Sequence, residues 1–313
     1  MKGKTHILQT PYWAKFKESY GTPSIRAGGI FYTKHSIPLT SSCFALSPHV
    51  NPSVVNFEEL RESLEKNNCV GLRFDVPNVI KGAGDEKKAL EVFEKHCVRS
   101  PRSEFAKANF LLDLTQSEEK ILEEMHPKQR YNIKYAIKKG VKARISISKE
   151  DLEKFYNLYK ETSQRQKYFP RPKIYFEKLW EIFEPEGLSY LLMVEYEGEL
   201  LASWMLFIYD KVLYYPYGGS AEKYKNLQAS CLTGWGAIRF GREKKCEIFD
   251  MWGAAEDLNN EKDPFYGFSN FKAKFGGAHV IYIDSYDLVL NQAIYTIFNM
   301  ANNLRWKLLT TLR

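Results

Sequence analysis

The residues best suited to chemistry lie in Gly267-Phe-Ser-Asn-Phe-Lys-Ala-Lys-Phe-Gly-Gly277. Phe268, Phe271 and Phe275 fall at i, i+3 and i+7, the stripe of a short helix buried on one side. Lys272 comes four residues after Phe268 and next to Phe271. Its stem is therefore expected to run over apolar ground and its ammonium to emerge at the rim. A half-buried cation is useful wherever negative charge develops. A plain surface lysine on an aromatic helix is the competing account.

Other candidates are spread along the chain. Asp75 ends the strand-like run Val70-Gly-Leu-Arg-Phe-Asp-Val76, where α/β sites often lie, although a loop-capping aspartate would sit in the same place. Arg171 stands between Pro170 and Pro172, which hold it extended, and Tyr175 follows at the start of a helix. An arginine on so stiff a loop can clamp phosphate or carboxylate, or can simply be a helix-entry residue. Tyrosines crowd Tyr214-Tyr-Pro-Tyr-Gly-Gly-Ser220. Arg130, Lys134 and Lys138 recur at helical spacing as a basic ridge, with Ile133 and Ile137 expected to turn inward. No acid interrupts residues 128–144, and phosphate is the natural compensation for such a run, a solvated helix face being the alternative.

These residues need a framework to bring them together. A chain of 313 residues with 44% hydrophobic and 27% charged residues is globular and long for one core. The net charge of +7 favours a polyanionic partner: RNA, a nucleotide diphosphate or an anionic membrane face. Five scattered cysteines without a C-x-x-C indicate neither a disulfide framework nor a zinc site, which suits a reducing cytoplasm. The N-terminus has no signal-peptide core, and no apolar stretch reaches the roughly 18 residues of a membrane span.

In chain order the pattern predicts a helix from Pro11 to Gly21 capped by Thr10, strands and helices up to a boundary near residue 106, then a fresh strand over 108–114. Thr115 and Glu118 read as a capping box for the next helix. After two helices come three extended runs (189–195, 200–209, 211–217) forming an antiparallel meander, a helix from 227 to about 243, a strand over 247–253, the Lys272 helix, and a strand over 280–283. The tail from Asp287 is amphipathic. Leu290, Ile294, Ile297, Ala301, Leu304 and Leu308 form one stripe, and Arg305, Lys307 and Arg313 come late, so it either packs back on the first domain or docks on a membrane surface.

The order of elements from residue 108 is similar to the GNAT acyltransferase fold, and the sequence resembles the Fem family of peptidoglycan-bridge aminoacyltransferases. The resemblance rests on Gln9-Thr-Pro-Tyr-Trp-Ala-Lys-Phe-Lys17, Arg73-Phe-Asp75, Arg130-Tyr-Asn-Ile-Lys-Tyr-Ala-Ile-Lys-Lys-Gly140, Tyr217-Gly-Gly-Ser220, Trp252-Gly253 and Phe271-Lys-Ala-Lys-Phe-Gly276. It implies an α/β (α+β) fold of two tandem GNAT-like domains with mixed, largely antiparallel sheets. One domain would comprise 1–106 plus 285–313 and the other 107–284.

The resemblance further implies transfer of an amino acid from aminoacyl-tRNA to the stem-peptide side-chain amine of lipid II or UDP-MurNAc-pentapeptide, without a cofactor or metal. The enzyme would be a cytoplasmic monomer with peripheral contact to the membrane. Lys272 would support the transition state. Lys17, Arg171, Tyr175 and either Tyr215 or Tyr217 would grip the precursor beside Phe271. An aspartate of the first domain that helps grip the precursor matches Asp75; from the chemistry, Asp75 could accept the amine proton, and Arg130, Lys134 and Lys138 would meet tRNA phosphates. The long coiled-coil arm of some family members is absent, and Leu46-Ser-Pro-His-Val-Asn-Pro52 replaces a Pro-Arg-Gly-Pro-like segment. A coenzyme-A-dependent GNAT acyltransferase is the rival enzyme, but Ser220-Ala-Glu-Lys-Tyr-Lys-Asn-Leu227 lacks the glycine spacing of a pyrophosphate loop. A non-catalytic RNA-binding protein is the rival outside catalysis.

Overall fold

In a computed structural model, residues 3–311 are described, with side chains as far as Leu304 apart from Asn303. The chain forms two compact units, named here for their place in the sequence. The flanking unit comprises His6–Lys107 with Ile281–Arg313, and the central unit comprises Ala108–Val280 with Met1–Thr5.

The flanking unit opens with α1 (Pro11–Ser19), which starts where the Thr10 hydroxyl accepts from the Trp13 amide at 3.2 Å and Pro11 fills the first helical position. There follow β1 (Ser24–Ala27), β2 (Ile30–Ser36), β3 (Cys43–Pro48), α2 (Phe57–Lys66), β4 (Cys69–Asp75), α3 (Glu86–His96) and β5 (Val98–Arg99). Every residue of β4 is buried, as an interior strand covered on both faces requires.

The central unit runs β6 (Ala108–Asp113), α4 (Glu118–Glu124), α5 (Pro127–Lys138), β7 (Lys142–Ser146), α6 (Lys149–Arg165), α7 (Lys173–Phe183), β8 (Ser189–Tyr196), β9 (Glu199–Tyr209), β10 (Val212–Ser220), α8 (Ala229–Glu243), β11 (Ile248–Ala254), α9 (Tyr266–Ala273) and β12 (Ala278–Ile281). The expected meander is β8–β9–β10, its first turn made by Glu197 and Gly198, both at positive φ. The chain then returns to the flanking unit as β13 (Tyr286–Val289) and α10 (Gln292–Thr311).

The flanking sheet has the order β1-β2-β3-β4-β13-β5, and the central sheet β12-β6-β11-β10-β9-β8-β7. Among the described pairings only β3/β4 and β10/β11 are parallel, and each pair is bridged by a helix, α2 or α8. A parallel neighbour needs such a crossover. The mixed, largely antiparallel α/β architecture is therefore the one expected, with the same strand–helix–strand unit in each half.

Local expectations fail where side chains find other partners. Ser117, not Thr115, caps α4, because the Thr115 hydroxyl is spent on Asp113 at 2.6 Å. Ile137 does not turn inward but is 54% exposed, whereas Ile133 and Ala136 are buried. The stripe of α9 is graded: Phe275 is buried, Phe271 half-buried and Phe268 exposed. On α10, Ile294 packs inward while Ile297 and Leu304 point out; Arg305, Lys307, Leu308 and Arg313 lie outside the described side chains.

Candidate active site

The two parallel strand pairs differ in one respect. β3 and β4 shift register near their start, between Cys43 and Ala45, but then stay paired to their carboxyl ends, Pro48 opposite Asp75. β10 and β11 pair only at Val212–Ile248, Leu213–Phe249 and Tyr214–Asp250, although β10 continues to Ser220 and β11 to Ala254. Each strand also shifts register against its outer neighbour at this point, β10 between Tyr214 and Tyr217 and β11 between Asp250 and Gly253. The bulges turn the strands apart and leave a V-shaped opening in the middle of the sheet.

Lys272 lies at this opening. Its ammonium donates to the carbonyls of Trp252 at 3.1 Å and Gly253 at 2.8 Å, on the stretch of β11 that has no β10 partner. It lies 4.8 Å from the centre of the Phe268 ring and 5.6 Å from that of Tyr215. The side chain does not emerge at a rim as expected, being only 7% exposed, because Phe268 covers it and Tyr215 arrives from β10. Burial lowers its pKa to about 7, against the opposing pull of the Asp250 charge.

Asp250 was not singled out from the sequence. It is buried on β11, where its Oδ1 accepts from the Asn109 amide and the Trp252 backbone N–H, both at 2.7 Å. Burial pushes its pKa up to about 6. The bond to Trp252 holds that residue at φ +60°, a strained backbone for a bulky side chain, and so aims the two carbonyls at Lys272. A lone acid inside the apolar run Ile248-Phe-Asp-Met-Trp252 was the available signal.

Tyr215 and Tyr217, alternatives in the sequence, have separate places. Tyr215 stacks on Trp204 of β9 at 3.6 Å, and the Trp204 ring meets Phe271 edge-on at 6.4 Å. Tyr217 shares a 2.8 Å hydroxyl hydrogen bond with Tyr175 at the start of α7. Burial raises the pKa of both phenols in that pair, so they are neutral hydrogen-bonding groups. The guanidinium of Arg171 lies 5.3 Å over the Tyr175 ring, and its backbone N–H donates to the Tyr159 hydroxyl at 3.2 Å. A stiffly mounted, exposed cation therefore stands over a phenol pair at the exit of β10.

The basic ridge is thinner than its spacing implies. The Arg130 guanidinium turns back to the carbonyls of Leu122 and Glu123, each at 3.1 Å, and of Met125, so it caps the end of α4. Lys134 and Lys138 stay exposed. Lys17 and Asp75 belong to the flanking unit. Burial depresses the His35 pKa, and Lys17, half-buried on α1, is close enough to add to it. Asp75 has no exposed surface; it accepts from the Glu104 and Phe105 amides at 3.0 and 2.9 Å and from the Ser285 hydroxyl at 2.7 Å. Burial raises its pKa to about 6, yet its oxygens are committed to holding a loop.

A parallel strand pair that splits beside a polar group, in a sheet led by an antiparallel meander, is the arrangement of a GNAT-like fold. Residues 127–262 match the acetyltransferase (GNAT) domain family. The fold of the whole chain is that of FemX, whose crystal structure superposes with a TM-score of 0.84 over 94% of this chain and 95% of that one, at 16% identity. In sequence it is 25% identical over 189 residues to the UDP-N-acetylmuramoylpentapeptide-lysine N(6)-alanyltransferase of Weissella viridescens, covering 60% of this chain and 54% of that protein. It is 22% identical over 239 residues to a lipid II:glycine glycyltransferase of Staphylococcus saprophyticus, covering 56% and 57%. The chain is thus similar in sequence to transferases of the Fem type and has the fold of two tandem GNAT-like domains. The matched stretches span about half the length of these two relatives.

Proposed function

We propose that this protein transfers an amino acid from aminoacyl-tRNA to the side-chain amine of the stem peptide of a peptidoglycan precursor, lipid II or UDP-MurNAc-pentapeptide. The observation that carries this reading is the opening between β10 and β11 with Lys272 at it. The flanking unit's own parallel pair stays closed, which favours the central unit for the chemistry.

An aminoacyl ester is already activated, so no covalent enzyme intermediate is required. The neutral amine attacks the ester carbonyl and an oxyanion forms; it collapses to the amide as the carbon–oxygen bond to the ribose breaks, and the proton shed by the amine nitrogen ends on the departing ribose oxygen. Lys272, with a pKa near 7, can donate a hydrogen bond to the oxyanion or a proton to the ribose oxygen. Trp252 and Gly253 carbonyls hold its ammonium in place. Arg171, with Tyr175 and Tyr217 beneath it, would receive the acceptor's phosphate or carboxylate, and Tyr215 and Phe271 would line the path to Lys272. Lys17 is assigned to the precursor as well. Lys134 and Lys138 would meet tRNA phosphates. Asp75 is left as a loop anchor in this scheme, because its lone pairs are taken.

The test is incubation with a pool of charged tRNAs and each acceptor, read by product mass. One added amino-acid residue is expected on lipid II or UDP-MurNAc-pentapeptide, with kcat reduced about 100- to 1,000-fold in Lys272→Met. No mass gain on either acceptor, or full activity of Lys272→Met, refutes the proposal.

A further inference from the structure

Helix α10 carries apolar side chains on two sides, and folding uses only one. On the inner side Tyr295, Ile294 and Phe298 pack against Phe44 and Val70, and the Phe44 and Phe298 rings lie 4.7 Å apart. The Tyr295 hydroxyl donates to Asp287 at 2.8 Å and fixes the helix's rotation. On the outer side Ile297, Met300 and Leu304 are 67%, 67% and 62% exposed. Their spacing of i, i+3 and i+7 puts them in one row. Isolated exposed apolar residues need no explanation, but a row of three large ones on one helix face marks a surface that something covers.

The charge of the segment indicates what covers it. After Asp287 the sequence contains no aspartate or glutamate, while Arg305, Lys307 and Arg313 are all cations. An anionic lipid surface accepts such a segment, and an apolar helix face in a stretch whose sequence has basic and no acidic residues is the pattern of a helix lying in the headgroup plane. No helix among the described residues is long and apolar enough to cross a membrane, so the helix would lie on the bilayer and not span it.

We propose that the outer face of α10 docks on an anionic bilayer through Ile297, Met300 and Leu304. This goes beyond the transfer reaction and stands whether or not that reaction is correct. The test is sedimentation of the full chain with phosphatidylcholine vesicles, alone or with about a third phosphatidylglycerol. Binding is expected on the anionic vesicles, about tenfold weaker on phosphatidylcholine alone, and weaker in high salt. Ile297→Gln/Met300→Gln/Leu304→Gln is expected to bind the anionic vesicles at least about tenfold less well, with unchanged thermal unfolding because all three side chains are exposed. Should the triple variant misfold, Met300→Gln alone is expected to lose about threefold. No binding of the native chain to anionic vesicles overturns the proposal. So does undiminished binding by the variant that folds, or a native dimer that the substitution converts to a monomer.

Discussion

Burial drives the proton affinities of Lys272 and Asp250 toward each other, the lysine down to about 7 and the aspartate up to about 6. Two groups poised near neutrality suit proton movement better than ordinary surface charges do. They also leave a stability signature. Between about pH 7 and 10.5 the unfolded chain keeps the Lys272 proton that the folded chain has released, so the stability of the native protein relative to Lys272→Met should rise across that window. A rise of about 2–4 kcal/mol in chemical denaturation is expected, and a flat difference would mean that the lysine is solvated. Asp250 acts with the opposite slope and lower down: from 3.8 to about 6 the folded chain holds the extra proton, and stability falls as pH rises. The Phe-Lys pair made Lys272 legible in the sequence. Its burial was not, because Tyr215, which helps to enclose it, comes from a distant strand.

At the level of elements, the position of α9 depends on α8. A Cβ added at Gly234 would lie 2.1 Å from Cζ of Phe275, the buried ring just beyond the end of α9. Gly234→Ala should cost about 1–3 kcal/mol and lower kcat together with Tm, since moving Phe275 displaces the helix that carries Lys272. A Cβ at Gly236 on the same helix would meet the methyl ends of Leu192 at 3.3 and 3.4 Å and the Ala143 Cβ at an ordinary 3.6 Å. There the change to alanine should cost less than about 1 kcal/mol and leave activity intact. Arg130 gives a second test at this scale. Arg130→Ala should lower stability by about 1–2 kcal/mol through the uncapped α4 carbonyls and leave donor binding unaltered, as read by Tm and donor KM. Helical spacing placed Arg130 in the ridge correctly as a position. Spacing does not reveal that a neighbouring helix end stands within reach of a long side chain.

For the molecule as a whole, the net charge of +7 is of the sign that the proposed tRNA donor requires. Donor KM should rise with salt, and Lys134→Gln/Lys138→Gln should flatten the log–log slope by about 1 to 2 while Tm holds. A slope identical to that of the native protein would remove those lysines from the interface. The architecture was legible because alternation, capping residues and turn signals repeat in GNAT-like order. The strand split was not, because it depends on where two strands stop pairing, and hydropathy is blind to that. The interleaving of the units also has a kinetic consequence. β13 sits between β4 and β5, and its Asp287 accepts from Nε and Nη2 of the buried Arg73, each at 2.9 Å. During synthesis Arg73 therefore waits without that carboxylate, and β4 and β5 without the strand between them, until more than 280 residues have been made. The contiguous strands 108–280 are complete by then, so the half of the chain that begins first closes last.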